Sequence, residues 1–191
     1  MQMSRSTRPA VAAIACLALL LTACASYRPA SEAFHAVLTQ PYRLDAGDRL
    51  RVTVFGQADL TNTYAVDKAG YIAFPLVGPV AARGTTPSEL EGRLAASLRN
   101  GFLRDPDVSV EIDRYRPFYI MGEVGAPGQY TYVPGMTVQN AIAVAGGFTP
   151  RARQENADIT RQVNGQILTG RVPISDPIVP GDTIYVRERL F

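Results

Sequence analysis

The sequence predicts an α+β protein, and three observations carry that prediction. Short runs alternate apolar and polar residues at the period of half-buried strands, as in Leu50, Val52, Val54 and again in Phe118, Ile120. Gly-, Pro- and Asn-bearing turns separate these runs, as in Gly125-Ala126-Pro127-Gly128 and Asn164-Gly165. Two stretches combine a threonine cap with apolar residues at helical spacing, one opening at Thr86 and one at Thr137.

At the start, Arg5 and Arg8 precede an apolar stretch, Ala10 to Leu21, that is short for a bilayer span. Residues 1–23 are therefore read as a secretory signal. Leu21-Thr22-Ala23-Cys24 resembles the lipobox of bacterial lipoproteins, in which the cysteine is acylated and becomes the first mature residue. An uncleaved anchor or an ordinary cleavage site near Ala23 is the alternative. Several acyl chains together hold a protein stably on a membrane, at about 0.8 kcal/mol per buried methylene. Ala25 in place of Asp after Cys24 implies, by analogy with lipoprotein sorting, the outer membrane. Residues 24–40 lack sustained periodicity and are expected to form a tether, and His35 within it reads as an incidental surface residue.

From Tyr42 the strands begin. Leu44 to Asp48 forms a turn into the Leu50–Val54 strand. Tyr64-Ala65-Val66 and Tyr71-Ile72-Ala73-Phe74 flank Asp67 to Gly70, which reads as a hairpin connection, and Leu76 to Val80 continues the β character. Thr86-Pro87-Ser88-Glu89 supplies a cap, a first-turn proline and a capping-box glutamate, and Leu90, Leu94 and Leu98 line one face of the helix that follows. Val108, Val110 and Ile112 form another strand.

Phe118 to Val124 and Gln129 to Val133 read as a hairpin. Val138, Ala141, Ile142 and Ala145 then define the inner face of a short helix laid across it, stopped by Gly146-Gly147. Asn164-Gly165 marks a further hairpin. Pro180-Gly181-Asp182 feeds a last strand and repeats the shape of Ala46-Gly47-Asp48.

Composition narrows the function classes. Cys16 and Cys24 are the only cysteines, so a disulfide framework and a thiolate metal site are excluded from the mature chain. Loss of residues 1–23 would leave 17 basic against 17 acidic residues, with no basic excess for nucleic acid. No phosphate-cradling glycine loop precedes a helix. Asp45 with Asp48, and Asp105 with Asp107, sit beside Gly or Pro in turn contexts and suit turn duty better than glycoside hydrolysis. No catalytic residue, metal or cofactor is expected, and the chain does not read as an enzyme.

Gly122-Glu123-Val124, Pro127-Gly128, Pro134-Gly135 and Ala145-Gly146-Gly147, in that order, resemble the SLBB β-grasp module of bacterial outer-membrane polysaccharide export proteins. Tyr42 to Phe55, then Asp67, Gly70, Ile72, Pro75 and Gly78, resemble the N-terminal export domain of the same family. The resemblance implies residues 41–115 as an export domain and 116–191 as the β-grasp domain with a C-terminal return strand. It further implies a homo-oligomeric ring that conducts polysaccharide, fed by a tyrosine-kinase-like inner-membrane copolymerase. Long members continue into a membrane-crossing helix. This sequence stops at Phe191, which implies a short form served by a separate outer-membrane pore. Tyr119, Glu123, Tyr130 and Tyr132 are the candidate ligand or subunit contacts, the tyrosines because each ring pairs an apolar face with a polar tip. Ordinary strand packing is the alternative for each. A lipid-anchored β-grasp ligand-binding module that forms no conduit is the rival reading of the whole chain.

Overall fold

The computed structural model describes residues 29–189. Cys16, Cys24 and the signal segment lie outside the described residues. The chain builds two α+β units in succession, each around its own core.

In the first unit, β1 (Arg49–Val54) is the central strand, paired antiparallel with β2 (Asn62–Ala65) and β5 (Val108–Arg114). Its strict alternation puts Leu50, Val52 and Val54 in the core. β3 (Tyr71–Phe74) and β4 (Gly78–Ala81) form a separate two-stranded hairpin. The first long helix, Pro87–Arg99, starts as the sequence predicts: Glu89 N–H donates to the Thr86 hydroxyl, and Thr86 N–H donates to the Glu89 carboxylate. Leu90, Leu94 and Leu98 are fully buried along its inner face.

The second unit is a five-stranded sheet in the order β7 (Gly128–Tyr130), β6 (Phe118–Gly122), β10 (Thr183–Val186), β8 (Asn156–Val163), β9 (Gln166–Pro173). β10 runs parallel to β6, and the other neighbours are antiparallel. The helix Val138–Val144 begins at a Thr137 cap completed by Asn140. Val138, Ala141, Ile142 and Ala145, the predicted face, pack into the same core as Phe118, Ile120, Ile184 and Val186. The sheet therefore grips the helix on one side and leaves its other side open.

Five expectations are corrected. Residues 29–39 are not a free tether. Ala30 N–H bonds to the Arg171 carbonyl at 3.2 Å beside the edge strand β9, a short helix follows over Glu32–Ala36, and Phe34 is buried in the second core. Local periodicity could not show this, because a five-residue helix has one buried anchor whose partners lie far along the chain. His35 is not incidental either: its Nε2 lies 3.0 Å from the Asp176 carboxylate, across from that docked helix.

The Tyr64–Val66 and Tyr71–Phe74 segments do not pair with each other. The Asp67–Gly70 turn forms, with Asp67 accepting from Tyr71 N–H, but β2 is already paired to β1 and β3 turns away to β4. Leu76 and Val77 consequently belong to the β3–β4 turn and not to a strand. Finally, β7 ends at Tyr130, so Tyr132 and Val133 leave the ladder before Pro134.

The docked segment yields a direct test. A Cβ at Gly170 would lie 2.6 Å from the Ala30 Cα, a distance that requires one backbone to move. Gly170→Ala is expected to strip amide-exchange protection from Glu32–Ala36, while the Leu90–Leu98 helix face keeps its protection.

Candidate functional site

The two units meet at a hub built from three residues. Asp48, fully buried in the turn before β1, accepts from Asp45 N–H at 2.8 Å, from Arg116 N–H at 2.8 Å and from the Tyr42 hydroxyl at 2.7 Å. Arg116 Nη1 donates to the Tyr42 oxygen at 2.9 Å. Burial pushes the Tyr42 phenol above its ordinary pKa; Arg116 pulls it back and Asp48 adds to the rise, so the hydroxyl stays a donor.

The Gly-Asp echo seen in the sequence is a real geometric repeat. Asp182, also buried, accepts from Val179 N–H at 2.8 Å, just as Asp48 accepts from Asp45. A Cβ at Gly181 would lie 2.7 Å from Arg116 Nε, so the hub arginine passes directly over this second turn. Asp182 is held by a bidentate pair with Arg161, at 2.9 and 2.7 Å, and both side chains are 1% exposed. Burial pushes the Asp182 carboxyl upward, against the opposing pull of Arg161.

A cleft of about 600 Å³ opens beside the hub, lined from both units by residues that include Tyr42, Tyr115, Tyr132, Pro177 and Pro180. Tyr42 and Tyr115 meet edge to face at 5.0 Å, and Tyr115 and Tyr132 at 5.4 Å. Burial raises the pKa of both Tyr115 and Tyr132.

The second surface is the open face of the five-stranded sheet. Tyr119 and Met121 point outward from β6, and Tyr185 points outward from the adjacent β10; their exposures are 43%, 46% and 43%. Beyond Tyr185 the face turns ionic. Asp158 on β8 accepts from Arg171 Nε at 2.7 Å and from Arg187 Nε, and the Arg187 guanidinium lies 6.0 Å from the Tyr185 ring centre. Burial alone would raise the Asp158 pKa, but the two guanidiniums outweigh it and hold the carboxyl below its ordinary 3.8.

A carboxylate held below its unfolded value stabilises the fold above that value and loses the contribution as pH falls through the folded one. Asp158→Asn is therefore expected to lower stability at pH 7. Chemical denaturation should show the gap to the unsubstituted protein closing as pH drops below about 4.

The four residues singled out in the sequence thus separate. Tyr119 is exposed on the open sheet face, and Tyr132 lines the cleft. Tyr130 stacks on Phe118 and donates its hydroxyl to the Ala126 carbonyl, which is strand packing. Glu123 accepts from Thr149 and Arg151 and fastens the hairpin to the segment after the helix. Sequence reasoning missed Tyr185, Arg187 and Asp158, although their alternation with buried Ile184, Val186 and Ile159 was a readable signal.

Among the described residues, no cluster of three or more His, Cys, Asp or Glu side chains could hold a metal ion. No described helix is long and apolar enough to cross a membrane. Among the described residues, two tandem α+β units are joined through the Tyr42–Asp48–Arg116 hub and carry an aromatic cleft and an open sheet face.

Known proteins agree and are more specific. The family model described as polysaccharide biosynthesis/export protein matches residues 36–113, and the SLBB domain model matches residues 117–171. The two matches in tandem support a polysaccharide export protein that carries an SLBB domain. It is similar to the exopolysaccharide production protein ExoF of Rhizobium meliloti (strain 1021), at 37% identity over 119 residues, 56% of this chain and 28% of that one. It is also similar to the polysialic acid transport protein KpsD of Escherichia coli, at 28% identity over 160 residues, 78% of this chain and 28% of that one. The chain thus spans little more than a quarter of the length of these relatives. The matched families and these relatives are transport and export proteins, not enzymes.

Proposed function

We propose that the protein guides a polysaccharide from the periplasm to the cell exterior as one subunit of a homo-oligomeric ring, fastened to the outer membrane through acylated Cys24. The observation that carries this reading is the pairing of an export domain with an SLBB domain in tandem, in the same order as the two folded units. Rigidity supports it. The Tyr42–Asp48–Arg116 hub joins the units through a buried carboxylate, and a ring subunit must hold one shape for the ring to close. A tyrosine-kinase-like copolymerase of the inner membrane would deliver the polymer to the ring.

Guidance without chemistry needs a hydrated path with weak, repeated contacts, and exposed tyrosines set among ionic and hydroxyl side chains on the open sheet face supply contacts of that kind. Two measurements test the reading. The full chain, extracted from membranes, should migrate as a discrete oligomer; a strict monomer at high concentration would leave only the non-conduit binding module. Cys24→Ser should move the protein from the membrane fraction to the soluble periplasmic fraction, and an unchanged distribution would remove the lipid anchor.

A further inference from the structure

We propose that the open face of the second sheet binds an acidic saccharide, with Arg187 receiving the sugar carboxylate and Tyr119 and Tyr185 stacking against the ring faces. This deepens the export reading, because it names the charge class of the polymer that the protein handles.

The argument starts from Arg187. Its Nε is tied to Asp158, which orients the guanidinium, and its side chain is still 50% exposed. Its two Nη nitrogens have no partner among the described residues. An arginine anchored through Nε presents both Nη groups end-on, the geometry that takes a carboxylate through two parallel hydrogen bonds. Asp158 cannot compete for those donors, since its own oxygens are committed to Arg171 and to Arg187 Nε and its side chain is only 12% exposed.

The neighbours fit a sugar. Tyr185 lies beneath the guanidinium with Met121 opposite it on the adjacent strand, and Tyr119, opposite Thr183, stands two positions further along the same face, within the span of a short oligosaccharide. Pyranose rings carry an apolar C–H face that packs on such rings and a hydroxyl rim that needs polar partners. Exposed Gln129 beside Tyr119, and Thr169 across from Thr160, line the same face. A second copy of the chain is a poorer occupant. A stable protein interface buries about 800 Å² per partner around an apolar centre, and here Tyr119, Met121 and Tyr185 are separated from Ile167, at the far edge of the face, by the Asp158–Arg171–Arg187 ions and the Thr160–Thr169 pair.

The test uses the full chain and two probes of similar size, a galacturonate trimer and its methyl ester, in which each carboxylate charge is replaced by a neutral methyl ester. In an NMR titration the acidic trimer is expected to shift the Tyr119 and Tyr185 ring signals and to bind about tenfold tighter than the ester. Arg187→Gln should abolish that preference, Arg187→Lys should restore part of it, and Tyr119→Ala should weaken both probes alike. Each variant is compared at matched thermal stability. Equal affinity for acid and ester, or an Arg187→Gln protein that still prefers the acid, would overturn the proposal. So would concentration-dependent shifts of Tyr119 and Tyr185 without sugar, which would assign the face to a second copy. Export itself is read separately: a deletion strain with normal surface polymer sinks the export reading and leaves this titration standing.

Discussion

Gly122→Ala is expected to prevent the second unit from folding. Gly122 ends β6 at φ 90°, and a Cβ there would lie 2.1 Å from the Val186 carbonyl oxygen and 3.0 Å from its carbon. Both atoms are backbone of the paired strand β10, so no side chain can swing aside. The conformation is also one that a residue with a Cβ rarely adopts. It exists because the chain must turn here so that Glu123 N–H can reach the same Val186 oxygen, at 2.9 Å. Relief requires separating the parallel β6–β10 pair, on which Ile120, Ile184 and Val186 depend for burial. The cost should exceed about 4 kcal/mol, a large part of the stability of a small domain. Gly128→Ala in the same hairpin is the control. Its Cβ would meet only the Tyr130 ring, at 3.9 Å, and denaturation should show a change of less than about 1 kcal/mol.

The second large effect belongs to Arg161. Its guanidinium stacks 4.2 Å over Phe34, donates twice to Asp182, and donates to the carbonyls of Phe34 at 3.1 Å and Pro177 at 3.2 Å. One side chain therefore joins the docked amino-terminal helix, the Pro177 loop and the turn into β10. Arg161→Met would leave the Asp182 charge buried without its partner and is expected to cost about 3–5 kcal/mol. Arg161→Met with Asp182→Asn should cost less than the two single changes summed, by about 0.5–3 kcal/mol in a denaturation cycle. Strict additivity would mean that the pair is not coupled as the geometry requires.

Residues near in sequence made much of this fold legible. The Thr86 and Thr137 caps, the buried face from Val138 to Ala145 and the Asn164-Gly165 hairpin all follow from neighbours within a few positions. Asn164 and Gly165 both take positive φ, at 49° and 80°, as a tight two-residue hairpin demands. What stayed hidden is non-local. The parallel placement of β10 beside β6 leaves no mark in either strand. The β2–β3 misreading came from trusting a turn without knowing that β2 was already paired.

Arg161 was half visible. It shares inward parity with Ala157 and Ile159, and a charge on the buried side of a strand signals a buried partner. Its counterpart Asp182 lay in the Gly-Asp turn whose likeness to Gly47-Asp48 was already apparent. For the site, alternation identified Tyr119 as outward-facing, but only the sheet order puts it on one face with Tyr185 and Arg187, opposite Thr183. Glu123 belongs to a recognisable motif, yet its carboxylate serves Thr149 and Arg151 and secures the fold.

The most direct measurement is the amount of polysaccharide on the cell surface, set against the amount synthesised, in a strain lacking this chain. The account predicts that surface polymer disappears while synthesis of unexported polymer persists. It further predicts recovery with the unsubstituted chain and none with Gly122→Ala. Normal delivery of polymer to the exterior in the deletion strain would contradict it.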